Sequence, residues 1–411
     1  MQWSMIMIFF IIITQLNYKI FLYCIGDLFS IMSEDYHNKS DYSRFKPIGY
    51  PVRHKRKVPF QPMIALPLTY RKIIKEIRKM DATLDNFVLG SDDYLELVKD
   101  AYADNIHWTT KIEGSQLSLE EVKKITNRYT SGETREVNTG PVQEILNHLY
   151  SFFAKNAMSL PWDLDTVKST HSILMKGVNK DVVPGKIRDE EVNVISSDGT
   201  EFFITCPPKN IEEELDYLID WLNNSPFDEI VTATLFFHEF ESIHPFRDGN
   251  GRTGRTLFQI LLQELGLKNC KLCKFEKEML SDSATYYDLL AYTDSTGIYS
   301  QLVMYVAESL EKAYKEAVTV FAAKDRISDL NENARTIVKT AKVKGTFTFN
   351  EATTWIPGLG SQTLRKIMDN LVEMDLIEKN GNTKGMTYSF KDPLRDLRIK
   401  LENENQKPIL E

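Results

Sequence analysis

The sequence predicts a mainly α-helical protein: a helical bundle with a small β-hairpin, followed by a C-terminal winged-helix domain. Three observations support this prediction. Apolar residues recur at helical spacing from Leu68 to Val320. That spacing is interrupted once, by side chains that alternate on either side of Asp198 and Gly199. Beyond Asp325 the pattern changes to three short helices and a glycine-rich β segment.

The length and composition limit the class of protein. A chain of 411 residues exceeds the size at which single cores stop growing, so we expect one large domain and at least one smaller domain. The residues are 42% hydrophobic and 26% charged, which is typical of a soluble globular protein. The net charge of -8 argues against a surface devoted to nucleic acid.

The cysteines indicate a reducing compartment, so we expect a cytoplasmic protein. Four cysteines in a chain of this length provide no disulfide framework. Cys270 and Cys273 form a single C-x-x-C pair, whereas a zinc site there would need a second pair or nearby histidines. We therefore interpret this pair as structural.

The first 31 residues contain two apolar runs, 5–13 and 20–32, separated by Gln15, Asn17 and Lys19. Neither run is long enough to cross a bilayer. The beginning also lacks the basic region and the small-residue cleavage site of a secretory signal. We interpret residues 1–31 as a misassigned or unstructured extension, with a signal anchor as the alternative, and we expect no membrane partner.

Residues 32–130 are predicted to form an N-terminal arm and accessory helices. The segment 36–67 is rich in Pro, Tyr and basic residues and shows no sustained period, so we predict an extended arm packed on a surface. Its basic run, residues 53–57, could contact nucleic acid, although a solvated arm is the simpler explanation.

Helical patterns then dominate, and several ends carry helix-end signals. Ser118 and Glu121 resemble a capping box, and Gly266 can adopt the left-handed conformation that ends a helix. The hairpin is predicted from 192–195 and 201–205 and stops at Pro207. The predicted helices are 68–84, 92–108, 118–127, 142–156, 165–174, 210–223, 227–242, 252–265 and a broken stretch 285–320.

Residues 326–395 have the outline of a winged helix. We predict a helix near 331–342, a short segment at 350–355, a helix that Ser361 caps, and a β segment over 379–388. The third helix would be the one that meets a DNA groove, yet winged helices also dock proteins. The basic residues that keep DNA open as a partner are Arg365, Lys366, Lys379 and Lys384.

Residues 244–255 read HPFRDGNGRTGR and carry the predicted chemistry. Gly249 and Gly251 before a helix leave backbone N–H groups free, so this loop is predicted to cradle an anion. Arg252 and Arg255 lie three residues apart on that helix, where their guanidinium groups can grip phosphate oxygens. The segment also reads G-x-G-x-x-G, but a helical pattern rather than a strand precedes it, which argues against both a dinucleotide-binding turn and a kinase glycine loop.

Two further residues of the loop complete a phosphoryl-transfer site. Asp248 is a carboxylate beside the predicted phosphate cradle, where Mg²⁺ is usually held. His244 can accept a proton near neutral pH, which suits the activation of an incoming hydroxyl.

Residues 244–255 resemble the Fic family signature H-x-F-x-[DE]-G-N-G-R-x-x-R at every fixed position. The resemblance covers about 36–320, with the catalytic core at 131–322. It implies an enzyme, a protein adenylyltransferase, that transfers AMP from ATP to a Tyr, Thr or Ser hydroxyl of a target protein. It implies His244 as general base, Asp248 on Mg²⁺, and Phe246 as the anchor of the loop. It further implies that Gly249, Asn250, Gly251, Arg252 and Arg255 bind the nucleotide phosphates.

A second resemblance lies in the accessory region. Thr109 to Gly114 read TTKIEG, similar to the inhibitory motif [ST]-x-x-x-E-[GN] of Fic proteins. It implies that Glu113 pairs with Arg255 within the same chain and keeps the enzyme off. The same glutamate could instead orient a water molecule for removal of AMP, and the sequence does not decide between these activities.

The family resemblance also assigns two peripheral groups. The hairpin with Val192, Val194 and Ile195 resembles the flap that docks the target by strand addition, although a purely structural hairpin is the alternative. Tyr286 and Tyr287 fall where the family often places an aromatic pair near the nucleotide, and we expect one of the two in the core.

Two alternatives to the ATP-dependent transferase stay open. One is a transcriptional regulator whose C-terminal domain binds DNA and whose Fic-like domain senses nucleotide; an intact His244 favours the enzyme. The other is a different donor, such as UTP, GTP or a choline-bearing nucleotide. The C-terminal winged helix is common in a bacterial subgroup of the family. The target protein is not readable from the sequence, and a homodimer is left open.

Overall fold

The structure is a computed structural model that describes residues 41–131, 140–153, 159–195, 201–326, 329–381 and 385–392. Several predictions concern positions outside these described residues. They include the extension 1–31, the start of the arm at 36–40, the helix end 154–156, the hairpin turn 197–199, Lys384, and the end of the winged-helix region at 393–395. Across the described ranges, no helix combines the length and apolarity needed to cross a bilayer.

The body is a helical bundle, as predicted, and most predicted helix bounds agree with the structure within four residues. The capping box of Ser118 and Glu121 is confirmed, because Ser118 N donates to Glu121 Oε2 at 2.8 Å and Glu121 N to Ser118 Oγ at 3.3 Å. Gly266 follows its helix with φ of 134°, as expected. The helices are α1 (Leu68–Leu84), α2 (Ser91–Lys111), α3 (Leu119–Ser131), α4 (Pro141–Phe153), α5 (Leu164–Met175), α6 (Ile211–Asn223), α7 (Glu229–Ile243), α8 (Asn250–Glu264), α9 (Phe275–Leu280), α10 (Ser283–Thr296) and α11 (Ser300–Ala323).

Helix α7 is the centre of the bundle. Asp228 caps it by accepting from Ile230 N and Val231 N. Nearly every residue of α7 is buried, which is the pattern of a helix surrounded by others. Helix α8 packs along it. The loop between these helices therefore begins and ends on rigid, buried elements.

A three-stranded sheet lies on the bundle, in the order β1 (Val52–Arg53), β3 (Glu201–Ile204), β2 (Asn193–Ile195). Strands β2 and β3 pair antiparallel, which confirms the predicted hairpin. Strand β1 comes from the N-terminal arm and pairs parallel with β3. It was not predicted, because two residues show no period. The sheet leaves β2 as one edge.

Residues 329–392 contain the C-terminal elements α12 (Glu332–Lys344), β4 (Thr346–Thr348), α13 (Phe349–Trp355), α14 (Ser361–Glu373), β5 (Ile377–Asn380) and β6 (Thr387–Phe390). Their order agrees with the helix, helix, helix, hairpin outline predicted from the sequence. The strands form an antiparallel sheet in the order β4-β6-β5. The predicted cap at Ser361 is wrong: Gly360 is the N-cap of α14, so the Ser361 hydroxyl already lies within the first turn.

Two of the basic residues of this region have partners within it. The guanidinium of Arg365 lies 5.1 Å from the ring centroid of Phe349. Lys379 donates to Asp369 at 2.7 Å. Both side chains nevertheless stay exposed at the surface of this region.

Candidate active site

The loop between α7 and α8 begins with His244 in a left-handed conformation, at φ 55° and ψ 62°. This region is unfavourable for residues other than glycine, so surrounding contacts must hold it. Arg188 supplies them: its Nε donates to His244 O at 2.7 Å and its backbone N donates to Pro245 O at 3.0 Å. Nothing in the sequence around Arg188 marks it as a support of the histidine.

The ring of His244 lines a cavity of about 140 Å³. Its Nδ1 lies 3.2 Å from the carbonyl oxygen of Glu241, which can only accept, so Nδ1 carries the proton and Nε2 keeps a lone pair. Burial, with a further effect of the Arg188 charge, lowers the pKa of His244 to about 4. The imidazole is therefore neutral at neutral pH and able to accept a proton.

Buried contacts fasten the middle of the loop. The ring of Phe246 is fully buried and stacks on His171 at 3.7 Å. Asn250 brackets the Phe246 backbone, accepting from its N–H and donating to its carbonyl, both at 2.8 Å. Phe246 thus lies where an anchor of the loop would lie, and the Asn250 side chain is used inside the loop, so only the Asn250 backbone can face a ligand.

His171, which the sequence did not identify, links the loop to the segment that precedes strand β2, which we call the flap base (residues 185–192). Gly185 N donates to its Nδ1 at 2.8 Å, so Nε2 carries the proton and donates to Asp248 O at 3.0 Å. Burial lowers the pKa of His171 to about 4, so at neutral pH the ring is uncharged and serves as a hydrogen-bonded link between the two segments. No local pattern reveals a residue so far from the loop in sequence.

Helix α8 begins two residues earlier than predicted, with Gly249 as N-cap at φ 83°. The first N–H groups of a helix have no intrahelical acceptor and carry the positive end of its dipole. Gly251 lies in this first turn, and a Cβ there would be only 2.3 Å from Glu113 Oε1. The carboxylate of Glu113 thus lies against the turn where an anion is expected.

The same carboxylate contacts Arg255. Arg255 NH2 donates to Glu113 Oε1 at 2.6 Å and to Thr109 O at 3.0 Å, and its Nε donates to Thr109 Oγ1 at 2.7 Å. Only 2% of Arg255 is exposed. Gly114 ends the segment at φ 95°. The structure therefore brings together Thr109, Glu113 and Arg255, the contact implied by the resemblance to the inhibitory motif.

Two more carboxylates, unidentified from the sequence, surround Arg255. Glu276 Oε2 lies 3.8 Å from its Nε, and Glu241 lines the same cavity. Burial raises the pKa of Glu276 to about 7 and that of Glu241 to about 8, although the Arg255 charge opposes both shifts. Glu241 Oε1 is buried without a hydrogen-bond partner among the described residues.

Arg252 is held by Asp248 and Glu144. It donates from NH2 to Asp248 Oδ1 at 2.7 Å and from NH1 to Glu144 Oε1, while its buried Nε has no partner among the described residues. Asp248 also accepts from Gly249 N at 2.6 Å and from Asn179 at 3.1 Å. Burial alone would raise the pKa of Asp248, but Arg252 and these donors lower it below its ordinary value.

The remaining predicted residues border the cavity or the flap. Tyr286 is 2% exposed and Tyr287 is 37% exposed, and both line the cavity, so one is in the core as expected. Val194 also lines the cavity, and Ile195 is 64% exposed on the edge strand. Val192 lies just before β2, where its carbonyl accepts from Thr205 Oγ1.

The fold and the site are those of a helical protein in which the N-terminus of a helix lies beside a buried, neutral histidine. Residues 161–262 match the family model described as Fic/DOC family. This segment, which includes the loop 244–255, is thus similar to the Fic/DOC family.

Relatives of known sequence show the same similarity. A protein of Aquifex aeolicus (strain VF5) named probable protein adenylyltransferase is 35% identical over 105 residues, which are 25% of this chain and 31% of that protein. A protein adenylyltransferase of Caenorhabditis elegans is 23% identical over 254 residues, 60% of this chain and 47% of that protein. The chain thus spans about a third to a half of these relatives' length.

The fold also resembles a solved structure. The crystal structure of a Fic family protein from Desulfovibrio desulfuricans G20 matches with a TM-score of 0.53 and 21% sequence identity. The match covers 81% of this chain and 98% of that chain. At this identity the likeness concerns the fold alone.

Proposed function

We propose that this chain is a protein adenylyltransferase, which transfers AMP from ATP to a Tyr, Thr or Ser hydroxyl of a target protein, and that Glu113 holds it in an inactive state. One observation carries the proposal. The Glu113 carboxylate lies on the first turn of α8 and on Arg255, beside the cavity that His244 lines. The names of the relatives support the same activity.

Glu113 occupies positions that suit a phosphate group. A carboxylate and a phosphate oxygen both accept hydrogen bonds from backbone N–H groups and from guanidinium. When Glu113 withdraws, the first turn of α8 and the Arg255 guanidinium become available to an anion. Arg255 is already oriented by Thr109, so it needs little reorganisation to bind.

Asp248 fits Mg²⁺ that accompanies bound ATP. Its side chain is 40% exposed, although it accepts hydrogen bonds from Arg252, Gly249 N and Asn179. Its lowered pKa keeps the carboxylate ionised. Carboxylate oxygens are the ligands that Mg²⁺ prefers. Bound Mg²⁺ would neutralise charge on the phosphate oxygens.

His244 provides the base. Its Nε2 takes the proton of the acceptor hydroxyl while that oxygen bonds to the α-phosphorus and the bond to the leaving pyrophosphate breaks. Arg255, Arg252 and the α8 N–H groups stabilise negative charge as pyrophosphate departs. Catalysis then consists of positioning and electrostatics, with no covalent enzyme intermediate.

The flap provides a docking edge for the target. Strand β2 is the outer strand of its sheet, and an edge strand has unpaired N–H and C=O groups to which an extended peptide can add. Val194 contacts the cavity that His244 lines, so a segment paired with β2 would pass close to the base.

The test uses the full chain with ATP labelled at the α-phosphate, Mg²⁺ and a lysate as the source of targets. Wild type, Glu113→Gly, and Glu113→Gly with His244→Ala are compared, and ATP labelled at the γ-phosphate is the control. Label from the α-phosphate alone, in Glu113→Gly and absent after His244→Ala, supports the proposal. If Glu113→Gly binds ATP without transferring label, the ATP-dependent activity is wrong, and UTP and GTP become the next donors to test.

A further inference from the structure

A buried cluster of His54, Cys206 and Glu214 lies outside the site described above. Its potential ligand atoms all lie within 4.8 Å of one another. His54 Nε2 is 2.8 Å from Glu214 Oε2, and Cys206 Sγ is 3.3 Å from Glu214 Oε1. The side chains of His54 and Glu214 are each 3% exposed, and Cys206 is fully buried. The three residues come from separate segments: the arm after β1, the chain after β3, and helix α6.

The hydrogen bonds behind His54 orient its ring for a cation. Ser242 Oγ donates its one proton to Asp294 Oδ1 at 2.7 Å, so it accepts from His54 Nδ1, which lies at 2.9 Å. Nε2 then points its lone pair at a carboxylate oxygen only 2.8 Å away. The ring nitrogen and this oxygen are therefore neighbouring acceptors, and a metal ion could bind both after the two atoms move slightly apart.

We propose that His54 Nε2, Cys206 Sγ and the Glu214 carboxylate bind a zinc ion. Imidazole, thiolate and carboxylate are the donors that Zn²⁺ takes, and the thiolate disfavours Mg²⁺ and Ca²⁺. Thiolate and carboxylate together neutralise the two charges of Zn²⁺, as a buried site requires. The second oxygen of Glu214 or a water molecule completes four-coordination.

Ser242 and Asp294 behind the histidine form the hydrogen-bonded outer shell that metal-binding histidines usually have. Burial, together with the neighbouring Glu214 carboxylate, raises the pKa of the Cys206 thiol well above its ordinary value, so without a metal the sulfur keeps its proton. Zinc binding therefore releases the thiol proton as the S–Zn bond forms.

The ion would join the arm and the flap base to the catalytic loop. Arg188 NH2 donates to the carbonyl of Cys206, and Arg188 Nε donates to the carbonyl of His244. Ser242 lies in the last turn of α7, two residues before His244. Zinc at this cluster would hold in place the residues that support the left-handed histidine.

The test measures metal binding and needs no activity, so it can fail independently of the proposed function. The full chain is purified with a tag free of histidine, and its zinc content is determined. Co²⁺ is then titrated in, because a Co²⁺–thiolate bond gives a charge-transfer absorption in the near ultraviolet. We expect close to one zinc per chain and a Co²⁺ band that Zn²⁺ abolishes.

Matched cysteine variants identify the ligand. Cys206→Ser should lose the band, whereas Cys24→Ser, Cys270→Ser and Cys273→Ser should keep it. Ser242→Ala should weaken zinc binding about 10-fold, the usual effect of losing an outer-shell partner. If circular dichroism shows that Cys206→Ser does not fold, the zinc content of His54→Gln and of Glu214→Gln is measured instead, and both should lose zinc. Full zinc retention in both, a band that survives in Cys206→Ser, or no metal binding by the wild type would overturn the proposal.

Discussion

Glu113 Oε1 lies 2.6 Å from Arg255 NH2, and the same oxygen lies 2.3 Å from where a Cβ at position 251 would be. One carboxylate therefore accepts a hydrogen bond from the Arg255 guanidinium and also fills the space beside the first turn of α8. The structure holds an internal acid where the proposed substrate would place phosphate oxygens, and this arrangement leads to the predictions below.

Removing the acid should release activity. A hydrogen bond between charged groups contributes about 1.5–3 kcal/mol, so Glu113→Gly should increase AMP transfer by about 10- to 100-fold. Glu113→Gln keeps the shape and loses the charge, and we expect an intermediate rate. The measurement is label incorporated from α-labelled ATP. Glu120→Gln, an exposed glutamate on α3, is the matched control and should behave as wild type. Equal rates for wild type and Glu113→Gly would refute inhibition by Glu113.

A methyl group at position 251 should prevent nucleotide binding. The added Cβ of Gly251→Ala would lie 2.3 Å from Glu113 Oε1 and 2.8 Å from Arg255 NH1, in the space proposed for a phosphate. In a Glu113→Gly background we expect ATP affinity to fall at least about 10-fold, because the Arg255 guanidinium must move. Calorimetric titration with ATP measures this. Gly360→Ala is the control, since that glycine has a negative φ and open space around it. Unchanged ATP affinity in Gly251→Ala would place the phosphates elsewhere.

The base should work well below neutral pH. Burial lowers the pKa of His244 to about 4 from its ordinary 6.5. The ring therefore stays neutral, and able to take the substrate proton, down to a pH well below 6.5. The rate of AMP transfer by Glu113→Gly should stay level from about pH 7 to about pH 5 and then fall toward pH 4. ATP affinity measured over the same range separates binding from chemistry. A rate that halves near pH 6.5 would contradict the buried-base interpretation.

The same shift affects stability. An unfolded chain takes up a proton on this histidine near pH 6.5, whereas the folded chain does so only near pH 4. The contribution of His244 to stability is thus complete above pH 6.5 and is lost as the pH falls toward 4. His171, whose pKa burial lowers to about 4, acts in the same direction.

Glu241 should produce the opposite pH dependence. Burial raises the pKa of Glu241 to about 8, so between 4.5 and 8 the folded chain holds a proton that the unfolded chain has lost. Its presence therefore lowers the free energy of unfolding as the pH rises through that interval. Glu241→Gln should stabilise the protein at pH 8 relative to wild type, and much less at pH 5. Chemical denaturation at both pH values measures this difference. The same difference at both would show that Glu241 ionises normally in the fold.

Arg188 should matter for turnover more than for binding. It holds the carbonyl of His244 at 2.7 Å and does not line the cavity. Arg188→Lys cannot make the same set of bonds, so we expect kcat to fall about 10-fold or more with little change in ATP affinity. Steady-state kinetics in the Glu113→Gly background separate kcat from KM. A change confined to KM would mean that Arg188 does not act through His244.

The sequence alone determined the features that are local in the chain. The helices have a period, the hairpin alternates, and the loop 244–255 carries its histidine, carboxylate, glycines and arginines within twelve residues. Such patterns are readable because the spacing of side chains along an element is set by its backbone geometry. The implied partnership of Glu113 and Arg255 came from resemblance to a motif, and the contact is present in the structure.

Only the tertiary structure decided which distant residues support that loop. Arg188, His171, Glu144, Glu241 and Glu276 reach it through packing, and nothing in their immediate sequence marks them. The same holds for the strand that the arm adds to the sheet and for the cluster of His54, Cys206 and Glu214. Contacts between separate segments depend on how whole elements pack, and packing leaves no period along the chain to read.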